Sequence, residues 1–192
     1  MKNTDFQPQQ IIVLSLRIMP IRKIKDFYPF FEAPVARSLI LDKVNEIFAG
    51  NPDCLAIWPH LDEIIIIIDG SKKENYEQFS QIDEAFHGII KSCSQFGQQN
   101  GWNYDIGYVL AMDAGLSSPI TLPARGQLPS FTLWSGLHVD RASNLSAAMA
   151  SGNTPHMLIT HSFYKHLSQK TRNRFNKLYY KLHICCYSDE KT

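Results

Sequence analysis

The chain of 192 residues has almost no net charge, no C-x-x-C cysteine motif and no apolar run long enough to cross a bilayer. Lysine and arginine (19 together) nearly balance aspartate and glutamate (18), leaving a formal charge of +1. Such a balance supplies no global field to gather nucleic acid or an acidic membrane surface. Four cysteines are present and none stand in a C-x-x-C pair, so reduced, buried thiols in a cytoplasmic protein are the expectation. His156, His161 and His166 do not share a helical face at ligand spacing, and no zinc site is expected of them. The first ten residues, MKNTDFQPQQ, contain no apolar signal core. Repeats and low-complexity tracts are absent, so residues 1–192 are expected to form one domain with its core at about 11–187. The basic, aromatic-interleaved stretch Gln169–Lys181 is expected to be a solvated turn feeding a strand rather than a nucleic-acid surface.

Hydrophobic residues make up 44% of the chain, enough for a substantial core. The most informative stretch is Cys54–Gly70, CLAIWPHLDEIIIIIDG. Two apolar runs, Cys54–Trp58 and Glu63–Asp69, flank a Pro59–Asp62 turn and predict a hairpin. Five consecutive isoleucines, Ile64 to Ile68, cannot alternate between core and solvent. They predict a strand buried on both faces, inside a sheet with helices over it. Asp62 at the hairpin tip is either a carboxylate positioned for a ligand or an ordinary turn residue. His60 beside it is either a metal ligand or proton carrier, or a solvent-exposed turn histidine.

Ile11–Met19 reads as the first strand, interrupted on one face by Ser15 and Arg17, and Ile21–Pro34 as an irregular connection. Val35–Phe48 and Glu74–Phe96 carry helical apolar spacing, the latter followed by Gly97 and Gly101 as stop signals. Asn103–Met112 reads as a strand and the Gly-, Pro- and Ser-rich Asp113–Phe131 as a loop. His138–Ala150 predicts a helix, Pro155–Thr160 a strand, and His161–Leu167 a short helix capped by Thr160. Lys177–Tyr187 predicts the last strand. The order predicts an α+β, ferredoxin-like βαββαβ sandwich.

Two segments, SGLHVDRASNLS (Ser135–Ser146) and PHMLITHSFYKHL (Pro155–Leu167), carry a family resemblance. With Gly136, Val139, Ala142, Leu145, Leu158, Ile159, Tyr164 and Leu167 in register, the chain resembles the class III nucleotidyl cyclase catalytic domains, the adenylate and guanylate cyclases. The hairpin tip His60-Leu61-Asp62 falls at that family's Gly-Asp turn, and Asp105-Ile106-Gly107 at its Gly-Ile strand. The resemblance implies conversion of a nucleoside triphosphate to a 3′,5′-cyclic monophosphate. It further implies two divalent ions, Mg²⁺ or Mn²⁺, held by two carboxylates. An Asn and an Arg would lie on the helix of the V-N-x-A-x-R motif, and the site would form between two head-to-tail protomers of a homodimer.

Carried over residue by residue, the resemblance gives Asp62 as the metal carboxylate of the hairpin. The first-strand carboxylate position falls at Ser15, with Asp26 the nearest acid downstream. The catalytic Asn and Arg positions fall at Asp140 and Asn144. The base-contacting positions fall at Trp58 and at Thr132 or Leu133. An arginine serving a phosphoryl transition state is worth roughly 10³–10⁵ in rate, and one electrostatic stabiliser about 10²–10³. The substitutions therefore predict a degenerate, dimerising domain that binds a nucleotide or a partner with weak or no turnover. The alternative is an active standalone cyclase, accepting a pyrimidine triphosphate in the manner of bacterial anti-phage systems. A third reading is a binding domain of the same shape with no nucleotide connection.

Overall fold

A computed structural model describes residues 7–21, 32–60, 62–101, 105–124, 130–151, 156–180 and 184–188. The first unit runs β1 (Gln9–Ile21), α1 (Glu32–Phe48), β2 (Cys54–Pro59), β3 (Glu63–Asp69), α2 (Lys73–Glu77), α3 (Phe79–Gln99) and β4 (Asp105–Leu122). β5 (Phe131–Ser135), α4 (Leu137–Ala150), β6 (Met157–Thr160) and α5 (His161–Tyr164) follow. α6 (Gln169–Arg172), β7 (Asn176–Tyr180) and β8 (Ile184–Ser188) complete the described elements. The strands form one sheet in the order β2-β3-β1-β4-β6-β8-β7, with β5 paired to β4 beyond that path. The antiparallel core β2-β3-β1-β4 is the ferredoxin-like arrangement expected from the sequence.

Alternation along β1 and β3 divides the molecule into two packed layers. Ile12, Leu14, Leu16, Ile64, Ile66 and Ile68 point into a large core under α1, α3 and α5. Ile11, Val13, Ile65 and Ile67 point the other way, against Val139 and Ala142 of α4 and Trp134 of β5. The isoleucine run is thus buried on both faces, and each fully buried side chain contributes about 1.5–3 kcal/mol. α1 presents Ala36, Ile40, Val44 and Phe48 at four-residue steps, and α3 presents Phe79, Ile82, Phe86, Ile89, Ile90 and Cys93. Gly101, with φ +77°, follows the α3 C-cap Asn100 in the left-handed conformation that glycine tolerates.

Three segments differ from the sequence expectation. The helix read over Glu74–Phe96 is two helices with a break at Gln78. Asn75 and Tyr76 bind α2 to the ends of β2 and β3: the Asn75 amide donates to Asp53 (3.1 Å) and the Asp69 carbonyl (2.8 Å). The Tyr76 hydroxyl donates to the Gly70 carbonyl (3.1 Å). The loop read over Asp113–Phe131 is largely strand: β4 continues to Leu122 and pairs Ser118–Leu122 with β5. Pro119 fits because, among the described residues, this part of β4 pairs with β5 alone and one ladder is missing. The single last strand is instead two antiparallel strands, β7 and β8, and no Gly, Pro, Asn or Asp in YYKLHI signals a break between them. Most of the connection read over Ile21–Pro34, with Asp26, lies outside the described residues.

Candidate functional site

β1 and β3 pair so that Ser15 lies opposite Ile65 and Arg17 opposite Glu63. The odd-numbered side chains of both strands face α4, which brings Ser15, Arg17 and Glu63 beneath Ser143 and Ser146. The Ser15 hydroxyl is fully buried, 2.5 Å from Glu63 Oε1 and 2.6 Å from Ser146 Oγ. Glu63 is buried and its carboxylate is saturated. Oε1 accepts from Ser15 and Ser146, while Oε2 accepts from Ser143 at 2.9 Å and faces Arg17 Nη2 at 3.3 Å. Arg17 uses its whole guanidinium here. Nη1 donates to Asp62 Oδ2 at 2.6 Å, Nη2 faces Glu63, and Nε donates to Ser146 Oγ at 3.3 Å. The hairpin tip is held by backbone as well: the Ile18 amide donates to the Asp62 carbonyl and the His60 amide to the Glu63 carbonyl.

A second buried carboxylate lies on the same side of the sheet, in β4. Asp113 Oδ1 accepts from the Ala114 amide (2.8 Å) and the Thr160 hydroxyl, and Oδ2 lies 3.0 Å from His138 Nδ1 and 3.4 Å from Arg141 Nη1. His138 and Arg141 are one turn apart on α4. The His138 ring lies directly over Gly115, where a Cβ would come within 1.9 Å of Nε2. Only glycine admits the ring at that position. Gly136, with φ +128°, opens α4 in a conformation other residues rarely adopt, which accounts for the glycine at the head of the helix motif.

The residues singled out from the sequence fall in four places. Asp62 joins the Arg17–Glu63 network with its side chain about half exposed, at 49%. Asp140 and Asn144 lie on the exposed side of α4, and among the described residues neither bonds to Asp62. Arg141, about 100° round the helix from Asp140, turns to the sheet and meets Asp113 instead. Trp58 is half-buried on β2, against the Ile65 and Ile67 side of the core. Thr132 and Leu133 are on β5, with Leu133 exposed and Thr132 Oγ1 3.0 Å from Thr121 Oγ1. Glu63, Ser146 and Asp113 were not read as site residues. The signal for the first two was present: Ser15 and Arg17 are polar at alternate positions of a strand whose neighbours are all apolar, so a polar partner was required beneath them. Asp113 was hidden because it was read as the start of a loop.

The donor set does not suit a pair of divalent ions. Such ions take several oxygen ligands, chiefly carboxylates, carbonyls and water. Here Ser15, the position expected for one carboxylate, holds a buried hydroxyl, Glu63 is spent on three serines and an arginine, and Asp62 is ion-paired. Among the described residues no group of three or more His, Cys, Asp or Glu is placed to hold a metal.

No family model matches the sequence, and no curated protein matches it either. Solved structures do match in fold. The chain is similar to the adenylyl cyclase CyaB from P. aeruginosa, with TM-score 0.64 and 13% identity over 94% of this chain and 93% of that one. It is similar to the guanylate cyclase domain of RhGC from Catenaria anguillulae in complex with GTP, with TM-score 0.56 and 13% identity over 93% and 94%. It is also similar to the non-canonical dimeric guanylyl cyclase domain of a RhoGC fusion protein from Blastocladiella emersonii, with TM-score 0.59 and 11% identity over 93% and 94%. The fold is that of the class III nucleotidyl cyclase catalytic domain.

Proposed function

We propose that this cyclase-fold chain is a dimerising domain that binds a nucleoside triphosphate or a protein partner without turning the nucleotide over. The observation that carries this reading is Ser15: at the position expected to hold a metal carboxylate stands a fully buried hydroxyl, committed to Glu63 and Ser146. Asp140 and Asn144 add to it. Asp140 lacks the amide, and Asn144 the guanidinium, that the resemblance calls for at those positions, and Asp140 adds negative charge. Losing the arginine alone is worth roughly 10³–10⁵ in rate.

Homodimerisation is supported by the β4–β5 arm. Cross-strand pairs Ile120–Leu133 and Leu122–Phe131 share one face of the ribbon and all four side chains are exposed. Leu116 and Leu137 add exposed apolar surface nearby in sequence. A row of this kind is the usual mark of a protein interface, and one of the similar domains is described as dimeric. A head-to-tail dimer would set the exposed Asp140 and Asn144 of one protomer toward the Asp62 side of the other.

The test is incubation of the purified chain with Mn²⁺ and each of ATP, GTP, CTP and UTP, with mass spectrometry for cyclic monophosphates and light scattering for mass. A dimer with no cyclic product from any triphosphate is expected. A cyclic product that disappears in Asp62→Ala would instead establish an active, divergent cyclase.

A further inference from the structure

We infer that Arg17 is a resident cation standing where a divalent ion would otherwise bind between Asp62 and Glu63, so that this site takes no divalent metal. The guanidinium lies between the two carboxylates, 2.6 Å from Asp62 Oδ2 and 3.3 Å from Glu63 Oε2. Its third nitrogen is bound to Ser146, so the group is fixed on all sides. Arginine keeps its charge at any physiological pH and its planar fork suits two carboxylates together. Mg²⁺ demands oxygens at about 2.0–2.1 Å in near-octahedral geometry. To reach Asp62 and Glu63 together it would have to expel the guanidinium, which is 13% exposed, and strip Glu63 of the serine hydroxyls that saturate it.

The register explains why the substitutions belong together. Ser15 and Arg17 are two residues apart on one strand and face the same way, so a hydroxyl at 15 and a cation at 17 act on one space. A carboxylate at 15 would lie against Glu63, at the distance now taken by a hydrogen bond. The hydroxyl removes that like-charge clash, and Arg17 neutralises the carboxylate that stays buried.

The inference rests on the same placement of the site as the proposed function, but metal binding reads it rather than turnover. Titration of Mn²⁺ into the dimer, followed by electron paramagnetic resonance of the free ion and by thermal melting, is the experiment. The wild-type chain is expected to leave the Mn²⁺ signal and Tm unchanged at millimolar metal. Arg17→Ser with Ser15→Asp is expected to bind Mn²⁺, raising Tm by about 5–10 °C when free metal is about a hundredfold above its Kd. Arg17→Lys, which keeps the charge, is expected to stay metal-free. Wild-type binding of Mn²⁺ that is lost in Asp62→Asn would overturn the inference even if the double variant does not fold. A folded double variant that ignores Mn²⁺ would overturn it as well. A metal-binding wild type that makes no cyclic nucleotide would leave the proposed function standing. Cyclic product formed in EDTA would do the reverse.

Discussion

The face of the sheet that carries α1 and α3 and the face that carries α4 are built on the same strands, yet their chemistry differs. The first is one continuous apolar core drawn from β1, β3, β4, β6 and four helices, α1, α2, α3 and α5. The second is divided into two smaller clusters, around Ile65–Trp134–Val139 and around Val109–Leu145–Met149. Buried or half-buried polar groups lie on this side: Ser15, Arg17, Glu63 and Ser146 in one network, and Asp113, His138, Arg141 and Thr160 in another. An apolar core tolerates small shifts, whereas a buried ionic network is favourable only when every member is satisfied. The α1–α3 face therefore carries the stability of the fold, and the α4 face carries its specificity: which helix lies over which strand, and in which register.

The largest expected effects separate the two faces. Phe86→Ala empties a fully buried site in the α1–α3 core and is expected to cost about 3–5 kcal/mol in chemical denaturation. Arg17→Ala leaves Glu63 buried and uncompensated and is expected to cost about 2–3 kcal/mol, somewhat under the usual figure for a broken buried pair because Asp62 keeps access to water. Replacing both partners, Arg17→Met with Glu63→Leu, is expected to be near neutral. A double variant as unstable as Arg17→Ala would show that the network does more than cancel its own burial cost. The distinction between the faces would then fail.

The apolar face was the legible one. Ile64–Ile68, the α1 stripe through Ile40 and Val44, and the α3 stripe through Phe86 and Ile90 announce themselves by spacing, because burial selects residue type directly. The hairpin bounds, the Thr160 cap and the βαββαβ order followed from the same signals. The polar face was harder to read, since its partners are 48 and 131 residues apart in sequence for Ser15 alone. Sequence spacing finds neighbours along a strand or helix, and it has no means of pairing Ser15 with Glu63 before the β1–β3 register is known. The β4–β5 arm was misread for a related reason. Its Gly, Pro and Ser residues are those of a loop, and the strand is visible only in the matched pairs Ile120–Leu133 and Leu122–Phe131 across the ribbon.

Acid should act on the apolar face before it acts on the Asp83–His156 pair of α3. His166 stacks on Tyr76 with centroids 4.4 Å apart, at the margin of the α1–α3 core. Burial, and then the positive charges of Lys165 and Arg172, hold its imidazole below the ordinary value of 6.5. A base depressed in this way takes up protons more readily in the unfolded chain. Its contribution is complete above about pH 6.5 and is lost as pH falls below that value. Asp83 acts lower. Burial raises its carboxyl, but hydrogen bonds from His156 and Tyr108 outweigh that and bring it below 3.8, so its contribution is lost only in stronger acid. Melting curves at about pH 7.5 and 5.5 should show a drop in Tm that His166→Phe reduces. An unchanged drop in that variant would assign the acid sensitivity to groups other than His166.

The smallest effect concerns the boundary between the α4 cluster and the arm. Trp134 is buried against Ile65, Ile67 and Val139, and its indole N–H has no hydrogen-bond partner among the described residues. A buried, unpaired donor forfeits its bond to water without recovering one in the protein. Trp134→Phe removes that donor but also some buried ring area, so the two effects oppose and the net change is expected within about 0.5 kcal/mol. The informative comparison is with Phe131→Asp, on the exposed face of the same strand, which is expected to disrupt the proposed dimer. If an acceptor from the second protomer reaches Trp134 Nε1, the donor is satisfied only in the dimer. Trp134→Phe then weakens the dimer and leaves the Phe131→Asp monomer unchanged. If no acceptor reaches it, the two backgrounds respond alike, and the indole is held in place by packing alone.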